Sequence, residues 1–274
     1  MNLVLMTEGT GQGVHGRKTN VGRLYDLLAE NRNQRINLEA GPGTHVFRHL
    51  GGMFFGADAM SIVNHHQNWF LNHAPRGLPA PRREGASGTV NGDAMKIFLF
   101  GFSRGALIMR VVAEWLCQRG FPVEYMGLWD TVDSTAGIKG EDYIELPSNV
   151  KFARHAVARD EFRRFFSYLS LKSNTQTLNN SNTVEELVFP GCHSDVGGLY
   201  DDNHAIADVT LDWILEPALK RGLKTIHCMT TATTSNYDYK IHDSLHEPTN
   251  GWGLLEPVKR VLEGIKRHSL CDII

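Results

Sequence analysis

The chain has 274 residues, 42% of them hydrophobic and 21% charged. That is an ordinary globular composition, large enough for one α/β domain that folds without staples, and it excludes a disordered or fibrous chain. A net charge of −2 excludes bulk nucleic-acid binding, and four widely spaced cysteines without a CxxC pair exclude a zinc ribbon or a disulfide-dense scaffold.

Short apolar runs alternate with longer amphipathic ones, the pattern of a mostly parallel sheet flanked by helices. Residues 2–6 (NLVLM) read as a buried strand, with no basic stretch and too short an apolar run for a Sec signal. A glycine-rich loop, EGTGQGVHG, follows. Thr19 and Asn20 are N-cap candidates for a helix to about Glu30, whose apolar face is Val21, Leu24, Leu27 and Leu28. Residues 35–39 form a second candidate strand. Gly41, Gly43, Gly51 and Gly52 punctuate the next loop, and 57–72 read as a helix. Residues 74–93 are rich in Pro, Gly, Arg and Ser, which suits either a lid or a plain surface loop. MKIFLF (95–100) is the clearest strand, followed by a helix over 104–119 and a strand over 123–129. Residues 150–169 read as helical, 184–189 as a strand, 205–221 as a helix, and 254–267 as a last amphipathic helix. No internal repeat and no linker interrupts this order, so the reading is one domain over 1–274. No apolar run reaches transmembrane length.

Residues 101–105, GFSRG, match G-x-S-x-G. Average composition alone would give about 0.1 such matches in a chain this long. Here the motif stands between a buried strand and an amphipathic helix, the setting of a nucleophile elbow. Ser103 is therefore the candidate nucleophile. Gly101 and Gly105 are expected where a Cβ would collide with the neighbouring chain. The oxyanion hole is expected to use the N–H of Arg104 and one from the loop after the first strand, where Gly9 and Thr10 lie nearest. That loop has neither G-x-G-x-x-G nor Walker spacing, so it does not read as a nucleotide site.

Triad partners on such a fold follow in the order Ser, acid, His. Asp130 ends the strand VEYMGLWD, where an acid can reach an imidazole, and Asp133 is the runner-up. Among 13 histidines, His193 has the best setting: a small-residue loop, PGCHSDVGG, directly after the strand VEELVF. His204 follows an acidic turn, and His155 reads as a packing or capping residue. Asp195 either holds the His193 loop by its backbone or competes as the acid. No cofactor or metal is expected.

These segments resemble the catalytic domain of the type VI secretion lipase effectors, the first of their phospholipase families. The matching runs are EGT (8–10), TNV (19–21), GPGT (41–44), GFSRGA (101–106), GLWDTV (127–132), RHAVARDE (154–161) and FPGCHSDVGG (189–198), in family order over about residues 2–220. Glu8 stands where the family usually has Asp, and Leu199 where it often has Gly. The resemblance implies an α/β-hydrolase fold and a Ser–Asp–His triad, carried by Ser103, Asp130 and His193, acting on acyl esters, in characterised members phospholipids. It further implies an antibacterial effector made in the cytoplasm and delivered by type VI secretion, with a secretion-apparatus partner and an immunity protein. The larger members carry a membrane-engaging C-terminal region. Residues 221–274 are too few to supply it, which leaves a soluble carboxylesterase or thioesterase as the alternative and a non-catalytic binding module as a third reading.

A peripheral membrane contact has its own candidate. Residues 150–169 interleave Lys151, Arg154, Arg159, Arg163 and Arg164 with Phe152, Val157, Phe162, Phe165 and Phe166. A basic aromatic helix of that kind either lies on anionic lipid or packs on the sheet with its charges solvated.

Overall fold

In a computed structural model of the chain, residues 1–14, 19–43, 55–75, 95–132, 146–163, 166–171, 183–226, 238–244 and 266–267 are described. The elements in chain order are β1 (Asn2–Thr7), α1 (Asn20–Leu27), β2 (Gln34–Glu39), α2 (Phe55–His73), β3 (Lys96–Phe102), α3 (Arg104–Cys117), β4 (Tyr125–Trp129), β5 (Phe152–Ala158), β6 (Thr183–Phe189), α4 (His193–Gly197), α5 (Ala205–Lys220) and the two-residue β7 (Lys266–Arg267). The strands form one sheet in the order β2-β1-β3-β4-β5-β6-β7, and every pair is parallel.

The central strands are apolar on both faces because helices cover both. Leu3, Leu5, Ile97, Leu99, Met126 and Leu128 point to a layer filled by Ile62, Val63 and Phe70 of α2 and Leu107, Ile108, Val112 and Leu116 of α3. Their alternating neighbours Val4, Met6, Phe98, Phe100, Tyr125 and Trp129 point the other way, onto Val21 and Leu24 of α1 and Ile206, Ile214 and Leu215 of α5. This period of two is the pleat itself. Thr19 caps α1 as its side chain predicts, accepting from the N–H groups of Val21 and Gly22.

One expected helix is a strand. Residues 152–158 form β5, inside the sheet between β4 and β6, and the chain after Ala158 is irregular. Its charged residues suggested a solvated helix face, but the structure satisfies them within the fold. Arg154 reaches Glu185, Glu216 and the carbonyl of Trp213, and buried His155 pairs with Glu186. Cross-strand partners decide β pairing more than intrinsic preference does. The amphipathic membrane helix is therefore not formed: Phe152 and Val157 are buried, and Arg163 is buried against Glu161. Arg164 and Phe165 lie outside the described residues, as do 76–94 and Asp133. Of the expected helix over 254–267, only 266 and 267 are described, and they are strand. No described helix is long and apolar enough to cross a membrane.

Candidate active site

Ser103 sits between β3 and α3 with φ 59 and ψ −126, a backbone region that side-chain-bearing residues rarely adopt. The turn is held by Ser103 N–H donating to Trp129 O at 2.9 Å, and Ser103 O accepts from Ala106 N–H at 3.1 Å. The flanking glycines are required by contact. A Cβ on Gly101 would lie 2.6 Å from Gly105 O, and one on Gly105 would lie 2.3 Å from Glu8 O and 2.5 Å from Thr7 O. So α3 leaves the elbow pressed against the end of β1, the strand that the Gly9–Thr10 loop follows. Gly9 is equally tight: its Cβ would meet the Phe102 ring at 2.6 Å. The Thr10 hydroxyl is buried without a hydrogen-bond partner among the described residues.

Asp130 follows β4 directly. It is fully buried and also holds a positive φ, 39. Its N–H donates to Ala156 O at 2.7 Å, its Oδ1 accepts from Ala158 N–H at 2.9 Å, and its Oδ2 faces His193 Nδ1 at 2.6 Å. His193 opens the short helix α4 rather than lying in an open loop. Its ring stacks on Phe102 (centroids 4.5 Å apart, planes at 28°) and meets the edge of Phe166 at 5.0 Å. Phe102, the residue before Ser103, is thus enclosed by His193, Gly9 and Gly197, whose own Cβ would be 2.2 Å from the ring. Burial pushes the His193 imidazole down from its usual range, against the opposing pull of Asp130, so it is neutral at neutral pH. With Nδ1–H donated to Asp130, Nε2 is the basic nitrogen. No hydrogen bond joins Ser103 to His193 among the described residues; their nearness rests on the Phe102 stack.

The remaining candidates separate cleanly. Asp195 accepts from Cys192 N–H (2.9 Å) and His242 N–H (3.1 Å) and faces His242 Nδ1 at 2.5 Å, so it holds the start of α4 and faces a different histidine. His204 precedes α5, and its carbonyl accepts from Asp208 N–H. His155 does more than pack: its Nε2 accepts from Thr131 N–H at 3.0 Å while Nδ1 donates to Glu186 at 2.7 Å, which ties down the residue after Asp130.

Several supporting residues were not found from sequence. Glu161 accepts from His193 N–H at 3.3 Å, from Arg163 through both oxygens, and from Ser244 Oγ. Burial alone would raise the Glu161 carboxyl, but Arg163 outweighs it and holds it below its ordinary value. Arg163 in turn lies 3.6 Å over the Phe166 ring. The run RHAVARDE, which contains His155 and Glu161, was the available clue. No cluster of potential metal ligands occurs among the described residues.

The sequence matches the family described as "T6SS, Phospholipase effector Tle1-like, catalytic domain" over residues 1–121 and 115–217. The chain belongs to this family. Its sheet, elbow and helices are those of the α/β-hydrolase fold. Among solved structures it is similar to an uncharacterized protein from Pseudomonas aeruginosa, at 18% identity and TM-score 0.59, covering 82% of this chain and 46% of that one. It is also similar to the Tle1 effector bound to the VgrG spike of the type 6 secretion system, at 18% identity and TM-score 0.47, covering 73% and 51%. A third is Est1E from Butyrivibrio proteoclasticus, at 11% identity and TM-score 0.46, covering 80% and 87%. The chain thus spans about half the length of the first two. No curated protein matches it significantly in sequence.

Proposed function

We propose that this Tle1-like domain is a serine esterase that cleaves phospholipid acyl esters. The observation that carries this reading is the buried Asp130–His193 pair stacked on Phe102, one residue from the strained Ser103. In this reading Ser103 Oγ attacks the acyl carbonyl, and His193 Nε2 takes its proton and returns it to the leaving alcohol. Asp130 holds the imidazole tautomer and stabilises the imidazolium that forms. The N–H of Arg104, the first residue of α3, and Thr10 then face the developing oxyanion. Water, activated by the same histidine, then releases the fatty acid.

The family match supports a phospholipid as the ester. The relative solved with a VgrG spike supports delivery through a type VI apparatus, with a spike component as partner and an immunity protein in the producing cell. The test is acyl release from defined phospholipid vesicles by the wild type and Ser103→Ala, read by product mass spectrometry. Fatty acid that appears with the wild type and vanishes with the variant is expected, and the product identifies the acyl position. No release, with short p-nitrophenyl esters still hydrolysed through Ser103, would reassign the enzyme to soluble acyl substrates.

A further inference from the structure

Glu8 is a buried carboxylate that the acyl-transfer mechanism above does not use. It is the first residue after β1, and only 1% of its surface is exposed. Its Oε2 accepts from Thr19 Oγ1 at 2.5 Å, and the N–H groups of Gly9 and Gly22 face the same carboxylate. The three donors belong to two structures. Thr19 and Gly22 form the start of α1, and Gly9 begins the loop that carries Thr10. The backbone of Glu8 is fixed as well, its N–H donating to Glu39 O at 3.1 Å and its carbonyl lying against Gly105 of the elbow helix. Through its side chain and its backbone together, Glu8 therefore joins α1, the Thr10 loop and the nucleophile elbow.

This arrangement changes which atom faces the substrate. The Gly9 N–H faces the Glu8 carboxylate, and Gly9 O accepts from Gln12 N–H at 3.0 Å. Both polar atoms of the Gly9 backbone are thus turned toward groups of the fold. Thr10, with its buried and unpartnered hydroxyl, is the next residue and the one whose polar groups remain for a ligand. A buried hydroxyl without a partner is costly unless something binds it.

We propose that Glu8 is a positioning residue for the oxyanion site: its carboxylate clamps Gly9 to the start of α1 and so fixes Thr10 as the loop's donor to the acyl oxygen. The proposal rests on the acyl-transfer reading of Ser103. It makes the clamp depend on ionisation, because a charged carboxylate holds these donors about twice as strongly as a protonated carboxyl does. Burial pushes Glu8 up from 4.5 to about 7, against the three neutral donors, and no charged side chain contributes. Titratable groups on the neighbouring elements are otherwise engaged or uncharged. Arg23 of α1 pairs with Asp208, and Glu39 of β2 lies near His65. His66 of α2 is held neutral by burial, and His193 of α4 pairs with Asp130. Arg104 of α3, though lowered by burial to about 10, stays charged.

The experiment compares Glu8→Gln with wild type, reading kcat and KM for a p-nitrophenyl ester from pH 5 to 9. Fluorophosphonate labelling of Ser103 and a thermal melt run in parallel. The wild type should show an acid limb in kcat near pH 7 besides the lower one from His193. Glu8→Gln should lose the limb near 7, with kcat at pH 8 down at least tenfold, KM within about twofold and the melt cooperative. A kcat within twofold of wild type at pH 8, or an unchanged limb, would overturn the proposal. If Glu8→Gln does not fold, the wild-type profile decides alone: a single limb well below 7 overturns it. Wild-type protein that neither labels at Ser103 nor depends on it would overturn the acyl-transfer reading instead, and that result is distinct from either outcome for Glu8.

Discussion

Replacing Asp130 by Asn removes one charge and tests the triad through a tautomer. In the wild type, Oδ1 accepts from Ala158 N–H at 2.9 Å and Oδ2 accepts from His193 Nδ1–H at 2.6 Å. An asparagine has one oxygen for these two donors. The Ala158 N–H is a fixed backbone group of β5, so the amide oxygen must turn to it. The amide NH2 then faces His193, which can meet it only by leaving Nδ1 bare and carrying its proton on Nε2. That nitrogen can no longer accept the Ser103 proton. A change of this kind in serine hydrolases lowers kcat by about 10⁴, or roughly 5 kcal/mol of transition-state stabilisation. The assay is p-nitrophenyl butyrate turnover at pH 8 with a thermal melt on the same sample. A folded Asp130→Asn protein with kcat within tenfold of wild type would refute the assignment. Asp133→Asn is the companion measurement, with kcat expected within about threefold of wild type.

Three further outcomes are expected. Glu8 binds its proton more tightly folded than unfolded, so its stabilising contribution is complete below pH 4.5 and is lost as pH rises through about 7. The difference is about 3 kcal/mol, and Glu8→Gln should abolish it in urea melts taken at pH 4.5 and 8.5. Glu186 behaves in the opposite sense. Burial opposes its ionisation, but His155, Leu171 N–H and Ser170 hold it well below the usual carboxylate range. Its contribution is present above its unfolded value and lost as pH falls beneath it, so Glu186→Gln should flatten the acid side of the stability profile. Gly197→Ala would drive a methyl into the Phe102 ring. Because His193 stacks on that ring, kcat should fall at least tenfold while p-nitrophenyl ester KM changes little.

The elements that could be read from sequence are those whose pattern is local. β3 is a continuous apolar run, and α3 repeats its apolar face every three to four residues. The elbow between them is marked by glycines whose missing side chains leave room for backbone contacts, Gly101 with Gly105 and Ala106, and Gly105 with Glu8 and Thr7. Asp130 and His193 were nominated from local pattern, Asp130 at the end of an apolar strand and His193 in a small-residue loop that follows one. β5 was not legible, because Arg154 and His155 resemble surface residues until their partners are known. Those partners, Glu185, Glu186 and Glu216, lie 31 to 62 positions away. Glu161 was hidden for the same reason: its acceptor role depends on Arg163, His193 and Ser244 converging from three segments.

The strain at Ser103 and at Asp130 has one structural origin. Each residue follows the end of a parallel strand, each has a positive φ, and each donates its N–H to the next strand over: Ser103 to Trp129, Asp130 to Ala156. Arg159 continues the series to Phe189. The sheet therefore turns each strand end outward by bonding it to its neighbour, and the site lies along that staircase. If the backbone at Ser103 is strained in this way, removing its Cβ should relieve it. Ser103→Ala and Ser103→Gly both lose the nucleophile, so activity cannot separate them, but stability can. A side chain in this region costs about 1–3 kcal/mol, and glycine gives back about 0.5–1 kcal/mol through its greater freedom when unfolded. Ser103→Gly should thus be about 1 kcal/mol more stable than Ser103→Ala in urea. If alanine were as stable as glycine or more so, the elbow would be unstrained, and the energy stored at the nucleophile would have no part in holding Ser103 ready for attack.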